Sequence, residues 1–384
     1  MIVKKIGESI VSPLGFSVEE NFSAVMAGKS ALRRYESLWG MPFPCFVSLI
    51  PDERLDAEFC QEVDASQIPS LRTKFEKITL LSAVKAVKQS GIDAKSAHVV
   101  FILSSTKGNV ELLVDENPDL ECVTPAYTAK KVADYFGNPN VPLTVSNACI
   151  SGLCAQIEAH RCLMSGQYDT AVVIGADVLS PFIVAGFQSL KALSDEQCRP
   201  FGANRKGLNL GEAAATVVYQ VADDSADGWK MLAGAVRNDA NHISGPSRTG
   251  EGSYRALMTV LADSGLIAND LACLNVHGTS TMYNDEMEAI AINRAGLSSV
   301  PVNAMKGYYG HTLGAAGVLE TLLTMRALED GKVPATRGFD ELGVTMPVQL
   351  SSEAMATQKR AFVKLLSGFG GCNAVAAFCN GYGL

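Results

Sequence analysis

One order of elements occurs twice along this chain, and it restricts the fold more than any single motif. The first occurrence is an apolar β-rich run at 98–104, then the loop Ser104-Ser105-Thr106-Lys107-Gly108. Later, Val141-Pro142 opens a second strand, followed by the loop Ser146-Asn147-Ala148-Cys149 and a long helix at 151–164. The second occurrence is a strand at 271–276, the loop His277-Gly278-Thr279-Ser280-Thr281, then Val300-Pro301 opening a strand, a loop at 306–311 and a helix at 315–328. Further strands are predicted at 170–175 and 361–366. Alternation of strand and helix over this length predicts a layered α/β architecture, and the repeated order predicts a duplicated unit. Gly166 and Gly331 stand where the two long helices should stop. The acidic stretch 221–228 is the expected junction, dividing the chain into 1–224 and 225–384. With 384 residues, 47% of them hydrophobic, the chain has ample material for a large core.

The net charge of −8 gives no general attraction to nucleic acid or to anionic membrane, so an acidic partner would need a local basic patch. No apolar run reaches the ~18–20 residues needed to cross a bilayer, and the N-terminus carries no signal-peptide pattern. These features predict a cytoplasmic protein with neither nucleic acid nor membrane as partner. The ten cysteines are scattered, with no CxxC pair and no Cys/His ligand cluster, so they read as reduced thiols and no metal site is expected.

Cys149 stands apart because an apolar strand precedes it and a helix starts just after it. The unpaired N–H groups of a helix N-terminus favour an anion, which predicts a depressed thiol pKa and a reactive thiolate. A buried structural cysteine is the alternative, since free cysteine is commonly buried. Two of only five histidines, His277 and His311, sit at strand-to-loop exits rich in glycine and threonine. Such exits commonly build active sites in layered α/β folds, although either histidine alone would suit a structural role.

Six segments, in order, resemble the β-ketoacyl-acyl-carrier-protein synthases of the elongating Cys-His-His type. They are Asn147-Ala148-Cys149-Ile150-Ser151-Gly152; Lys191-Ala192-Leu193-Ser194 with Arg199-Pro200-Phe201; Gly211-Glu212-Ala213-Ala214; His277-Gly278-Thr279-Ser280-Thr281 with Asn284-Asp285 and Glu288; Lys306 with Gly310-His311 and Gly314-Ala315-Ala316-Gly317; and Gly368-Phe369-Gly370-Gly371 with Asn373-Ala374. The resemblance implies a thiolase fold, a five-layered αβαβα body of two similar βαβαβαββ halves, usually dimeric. It implies that Cys149 takes an acyl group from a carrier thioester, and that malonyl-carrier protein then decarboxylates and attacks that group. It gives His277 and His311 the stabilisation of the enolate, and the backbone N–H groups of Cys149 and Phe369 a second oxyanion hole. Phe369 becomes a gate, Lys306 pairs with Glu320, and Thr279 and Thr281 bind the phosphopantetheine arm. No cofactor is implied on the enzyme itself, because the substrates ride on the phosphopantetheine of acyl carrier protein. Arg72, Lys74, Lys130 and Lys131 fall near the family's docking region and are expected to meet that protein.

Several positions depart from the family pattern. Asn147 replaces a usual Thr or Ser, Ser367 replaces a pocket aromatic, and Tyr308 and Tyr309 replace smaller residues before His311. These changes predict a roomier pocket with more polar tips, suited to functionalised acyl chains of a polyketide or polyene pathway. A degradative thiolase needs a second catalytic Cys, and a starter-unit synthase pairs Cys with His and Asn; two histidines disfavour both. A non-catalytic chain-length subunit of a heterodimer would lack the nucleophile that Cys149 supplies.

Overall fold

The computed structural model describes residues 1–64, 66, 71, 73–114, 117–239, 241–242 and 245–381. Among the described residues the main sheet has eleven strands: a short edge strand at Gln349–Leu350, and ten that build the core. In the first half these are β1 (Ile2–Val11), β2 (Val99–Ser104), β3 (Leu143–Val145), β4 (Thr170–Asp177) and β5 (Ala213–Ala222). In the second they are β6 (Trp229–Asn238), β7 (Leu271–Asn275), β8 (Pro301–Asn303), β9 (Ala361–Gly368) and β10 (Cys372–Asn380). The first set lies in the order β3-β2-β4-β5-β1, with parallel pairing up to β4 and antiparallel pairing after it. The second set repeats this as β8-β7-β9-β10-β6, with the same change of direction after β9. β1 and β6 touch through only two residue pairs, Val3 with Met231 and Lys4 with Lys230.

Helices pack on these sheets in matching places. α1 (Lys74–Ser90) lies on β1, β5 and β4, and α2 (Pro125–Tyr135) lies on β2. α4 (Glu251–Ser264) lies on β6 and β10 and packs against α5 (Met282–Arg294). Between the sheets lie α3 (Ser151–Met164) and α6 (Ala316–Glu329), packed on each other. The five layers follow from strand alternation, because successive side chains face opposite sides. In β4, Ala171 and Val173 join the central core with α3 and α6, while Val172 and Ile174 join the outer core with α1. In β9, Phe362 and Leu366 face the central helices while Val363 and Leu365 face α4. Both faces of each sheet are therefore buried, and this is why the strands read as nearly continuous apolar runs.

Local signals explain the helix limits. The Thr73 side chain caps α1 by accepting from the Glu76 N–H, and Gly91 closes it in the left-handed region. The predicted helix at 151–164 matches α3 residue for residue, and that at 315–328 is shifted by one residue.

Candidate active site

The carboxyl ends of β3, β7, β8 and β9 converge, and each delivers one candidate residue. Cys149 sits in a tight turn between β3 and α3. Ala148 has a positive φ of 44°, a strained conformation for a residue with a side chain. Ser151 braces the turn, its hydroxyl accepting from the Asn147 N–H at 2.8 Å and donating to the Ala148 carbonyl at 2.6 Å. His277 follows β7. Its N–H and that of Gly278 donate to the two oxygens of Glu288 on α5, at 2.7 and 2.8 Å. His311 ends the short turn Lys306–Tyr309 plus Gly310, and this loop is stitched to the segment before β5. The His311 N–H donates to the Asn209 carbonyl at 2.7 Å, and the Gly211 N–H donates to the His311 carbonyl at 3.0 Å. A Cβ on Gly211 would lie 2.0 Å from the Tyr309 carbonyl oxygen, so only glycine permits this approach.

The Cys149 sulfur and one ring nitrogen of each histidine all lie within 4.8 Å of one another. The imidazoles meet edge to face, with centroids 5.0 Å apart. His311 Nδ1 accepts from the Leu313 N–H at 3.3 Å, which leaves the proton of the neutral ring on Nε2. That Nε2 is buried and has no protein partner, so it is a donor free for a ligand. Burial, assisted by Lys306 and other nearby positive charge, holds both histidines well below their ordinary pKa. The site therefore presents neutral imidazoles.

Cys149 differs from the sequence expectation of a depressed thiol. Burial pushes its pKa up, and the Phe369 N–H, Lys306 and Lys107 pull only partly the other way. The expectation counted the field of the helix start and omitted the loss of solvent around the sulfur. The Cys149 backbone N–H also opposes the rise, weakly.

A cavity of about 410 Å³ opens above this group, lined by Cys149, His277, His311, Thr279, Thr281, Ser367 and Phe369. The hydroxyls of Thr279 and Thr281 are 2.9 Å apart. Phe369 packs its ring against Phe187 at 5.8 Å, a wall residue that no sequence motif marked. The Ser367 hydroxyl lies at the cavity and donates to Asn373 Oδ1 at 2.9 Å. Tyr308 and Tyr309 do not bring phenols to it. Their hydroxyls donate instead to the Ala335 carbonyl and to Asn21, because the turn that carries them folds its side chains into the central core.

Behind the histidines lies a buried ionic cluster. Lys306 binds one oxygen of Glu320, as expected. The other oxygen takes Lys364 at 2.6 Å, a residue that the sequence reading missed. Burial would raise the Glu320 carboxyl, but the two ammoniums overcome this and hold it below the usual range. Asp177, also buried, accepts from Ser105, Thr106 and the Gly314 N–H.

Three of the four expected docking cations are described, and each is paired. Lys74 binds Glu212 and Asp52, and Lys131 binds Glu76, a buried carboxylate. These two are therefore not free to meet an acidic partner: structural carboxylates already hold their charges. Lys130 is exposed and pairs along its own helix with Asp134. Arg72 lies outside the described residues. No described helix is long and apolar enough to cross a membrane.

Two family models cover most of the chain. The β-ketoacyl synthase N-terminal domain matches residues 3–225, and the C-terminal domain matches residues 230–340. The chain belongs to the β-ketoacyl synthase family, acyltransferases that catalyse condensation. A putative mitochondrial 3-oxoacyl-[acyl-carrier-protein] synthase of Schizosaccharomyces pombe is 29% identical over 418 residues, covering 97% of each chain. Among solved structures, a β-ketoacyl synthase from Burkholderia phymatum has a TM-score of 0.88, with 24% identity and 99% of each chain covered. A ketosynthase from Xenorhabdus doucetiae, in complex with its chain length factor, has a TM-score of 0.84, with 23% identity, 99% of this chain and 98% of that one covered.

Proposed function

We propose that Cys149, His277 and His311 carry out a decarboxylative Claisen condensation, with Cys149 as the acyl carrier and the two histidines as donors to the enolate. The observation that carries this reading is the convergence of one thiol and two buried imidazoles within 4.8 Å at a single cavity. Cys149 attacks the thioester carbonyl of the incoming acyl group, and the carrier thiol leaves. The Cys149 and Phe369 N–H groups hold the oxyanion formed in that step. Malonyl thioester then loses carbon dioxide, and the electron pair left behind is stored as an enolate. Neutral His277 and His311 donate hydrogen bonds to the enolate oxygen. The enolate carbon attacks the acyl group, the new carbon–carbon bond forms, and Cys149 departs as thiolate. Burial raises the cost of a free thiolate, and this suits a nucleophile that ionises only as substrate arrives.

Thr279 and Thr281 line the entrance and hold the phosphopantetheine arm, and Phe369 gates the way to Cys149. Lys306 and Glu320 orient His311 from behind. Acyl carrier protein is the delivering partner; of the described cations expected to dock it, Lys130 remains exposed. The enzyme carries no cofactor of its own, holds no metal for catalysis, and works in the cytoplasm. Residues 1–224 and 225–384 form its two thiolase-like halves, and a homodimer is the assembly. A heterodimer with a related subunit is the second reading, supported by the chain length factor bound to the X. doucetiae relative. Ser367 supports a preference for functionalised acyl chains; the two tyrosines lend it nothing.

The test separates the half-reactions. Cys149→Ser should abolish condensation with the fold intact. His277→Ala and His311→Ala should each cut malonyl decarboxylation about 10²–10³-fold and spare acyl transfer to Cys149. Near-normal condensation by Cys149→Ser, or equal losses in both half-reactions for the histidine variants, would overturn the assignment.

A further inference from the structure

We infer that Lys364 is a positioning residue for the decarboxylation step, its ammonium clamping the shared Glu320 carboxylate and the Val276 carbonyl that precedes His277. This rests on the enolate-stabilising role given above to the two histidines.

Strand alternation puts Lys364 on the same face of β9 as Phe362 and Leu366, turned toward α6 and wholly buried. An unpaired ammonium there would be very costly. Its donors find Glu320 Oε2 at 2.6 Å, the Leu365 carbonyl at 3.3 Å and the Val276 carbonyl at 3.5 Å. Glu320 already has a matched partner in Lys306, so the second lysine leaves the trio with a net charge of +1. Stability gives no reason to add that charge, since a buried ion pair often only breaks even. The nearby groups that gain from it are the histidines. His277 faces Lys306, Lys364 and His311; His311 faces Lys306, Lys364 and Lys107. Lys364 itself faces Glu320, Lys306 and Glu288. Each added positive charge opposes imidazolium and keeps both rings neutral, as enolate stabilisation requires. The backbone beside His277 is thereby held from two sides, by Glu288 on its own N–H and by Lys364 on the preceding carbonyl.

The experiment measures malonyl-pantetheine decarboxylation and acyl transfer to Cys149 separately, against pH, for the full chain, Lys364→Met and His277→Ala. Lys364→Met should reduce decarboxylation roughly tenfold or more and leave acyl transfer within about twofold. The acid limb of its decarboxylation profile should move to higher pH, because the imidazoles lose an opposing charge. Ammonium ions should restore part of the rate to Lys364→Ala, and tetramethylammonium, which cannot donate, should not. An unchanged rate and profile in Lys364→Met, equal loss in both half-reactions, or failure of both variants to fold would overturn the proposal. If the unaltered chain, or His277→Ala relative to it, fails to behave as a malonyl decarboxylase should, the functional reading itself falls; normal behaviour of those two isolates the fault to Lys364.

Discussion

Replacing Glu320 should destabilise this fold, and the cost should depend on pH. Its two oxygens hold Lys306 and Lys364, all three side chains being buried. Glu320→Gln keeps the shape and removes the charge. Breaking one buried pair typically costs about 3–5 kcal/mol, because the remaining charge is stranded. Two ammoniums would be stranded here, so the loss at neutral pH should lie at the upper end of that range. Burial already draws Lys364 down to about 8, so it is the first to escape by losing its proton. A lysine with a depressed folded pKa makes the unfolded state bind more protons, and stability then rises with pH. Once the variant's Lys364 has lost its proton in the folded state, each pH unit narrows the deficit by about 1.4 kcal/mol, up to about pH 8, where the parent's Lys364 begins to titrate and both proteins gain alike. Urea denaturation at neutral and mildly alkaline pH should therefore show a deficit that shrinks as pH rises, after subtraction of the parent's own change. Adding Lys364→Met to the variant should recover part of the deficit at neutral pH. A loss below about 1 kcal/mol, or a deficit indifferent to pH, would refute the two-ammonium account.

Gly371→Ala should disable the gate: Gly371 has φ 77°, and a Cβ there would meet the Asp239 carbonyl oxygen at 1.8 Å. Acyl transfer should fall more than decarboxylation, and unchanged acyl transfer would show that the Phe369 loop need not hold its position. Decarboxylation by the unaltered enzyme should persist into mildly acidic pH, below the ordinary histidine range, because both pKa values are depressed; an acid limb near pH 6.5 would contradict this. Alkylation of Cys149 in the free enzyme by iodoacetamide should still accelerate above about pH 8.5, the ordinary thiol value. A rate that levels off below neutrality would mean that the helix start outweighs burial.

Much of the site was legible because its parts are local. A strand-to-helix turn at Cys149, glycine- and threonine-rich exits at His277 and His311, and a double glycine after Phe369 are each written within a few consecutive residues. The repeated order of elements likewise announced the architecture, since the periods of strand and helix belong to the chain itself. Helix α3 came out at its predicted limits for the same reason.

Other features depend on which faces meet once the sheets and helices pack. Lys364 interrupts an apolar strand, and nothing nearby in sequence shows that α6 lays Glu320 against it, 44 residues away. The phenols of Tyr308 and Tyr309 were expected at the pocket, but the turn after β8 directs them to Ala335 and to Asn21, the latter 288 residues distant in sequence. Lys74 and Lys131 looked free because their partners Glu212 and Glu76 come from other elements. The Cys149 thiol follows the same rule. The chain supplies the helix start that favours its anion, but desolvation is a property of the packed surroundings, and it pushes the thiol up. Backbone propensity acts over one or two turns and can be read along the sequence. Burial and charge pairing act through space, so they exist only where the tertiary fold has brought the partners together.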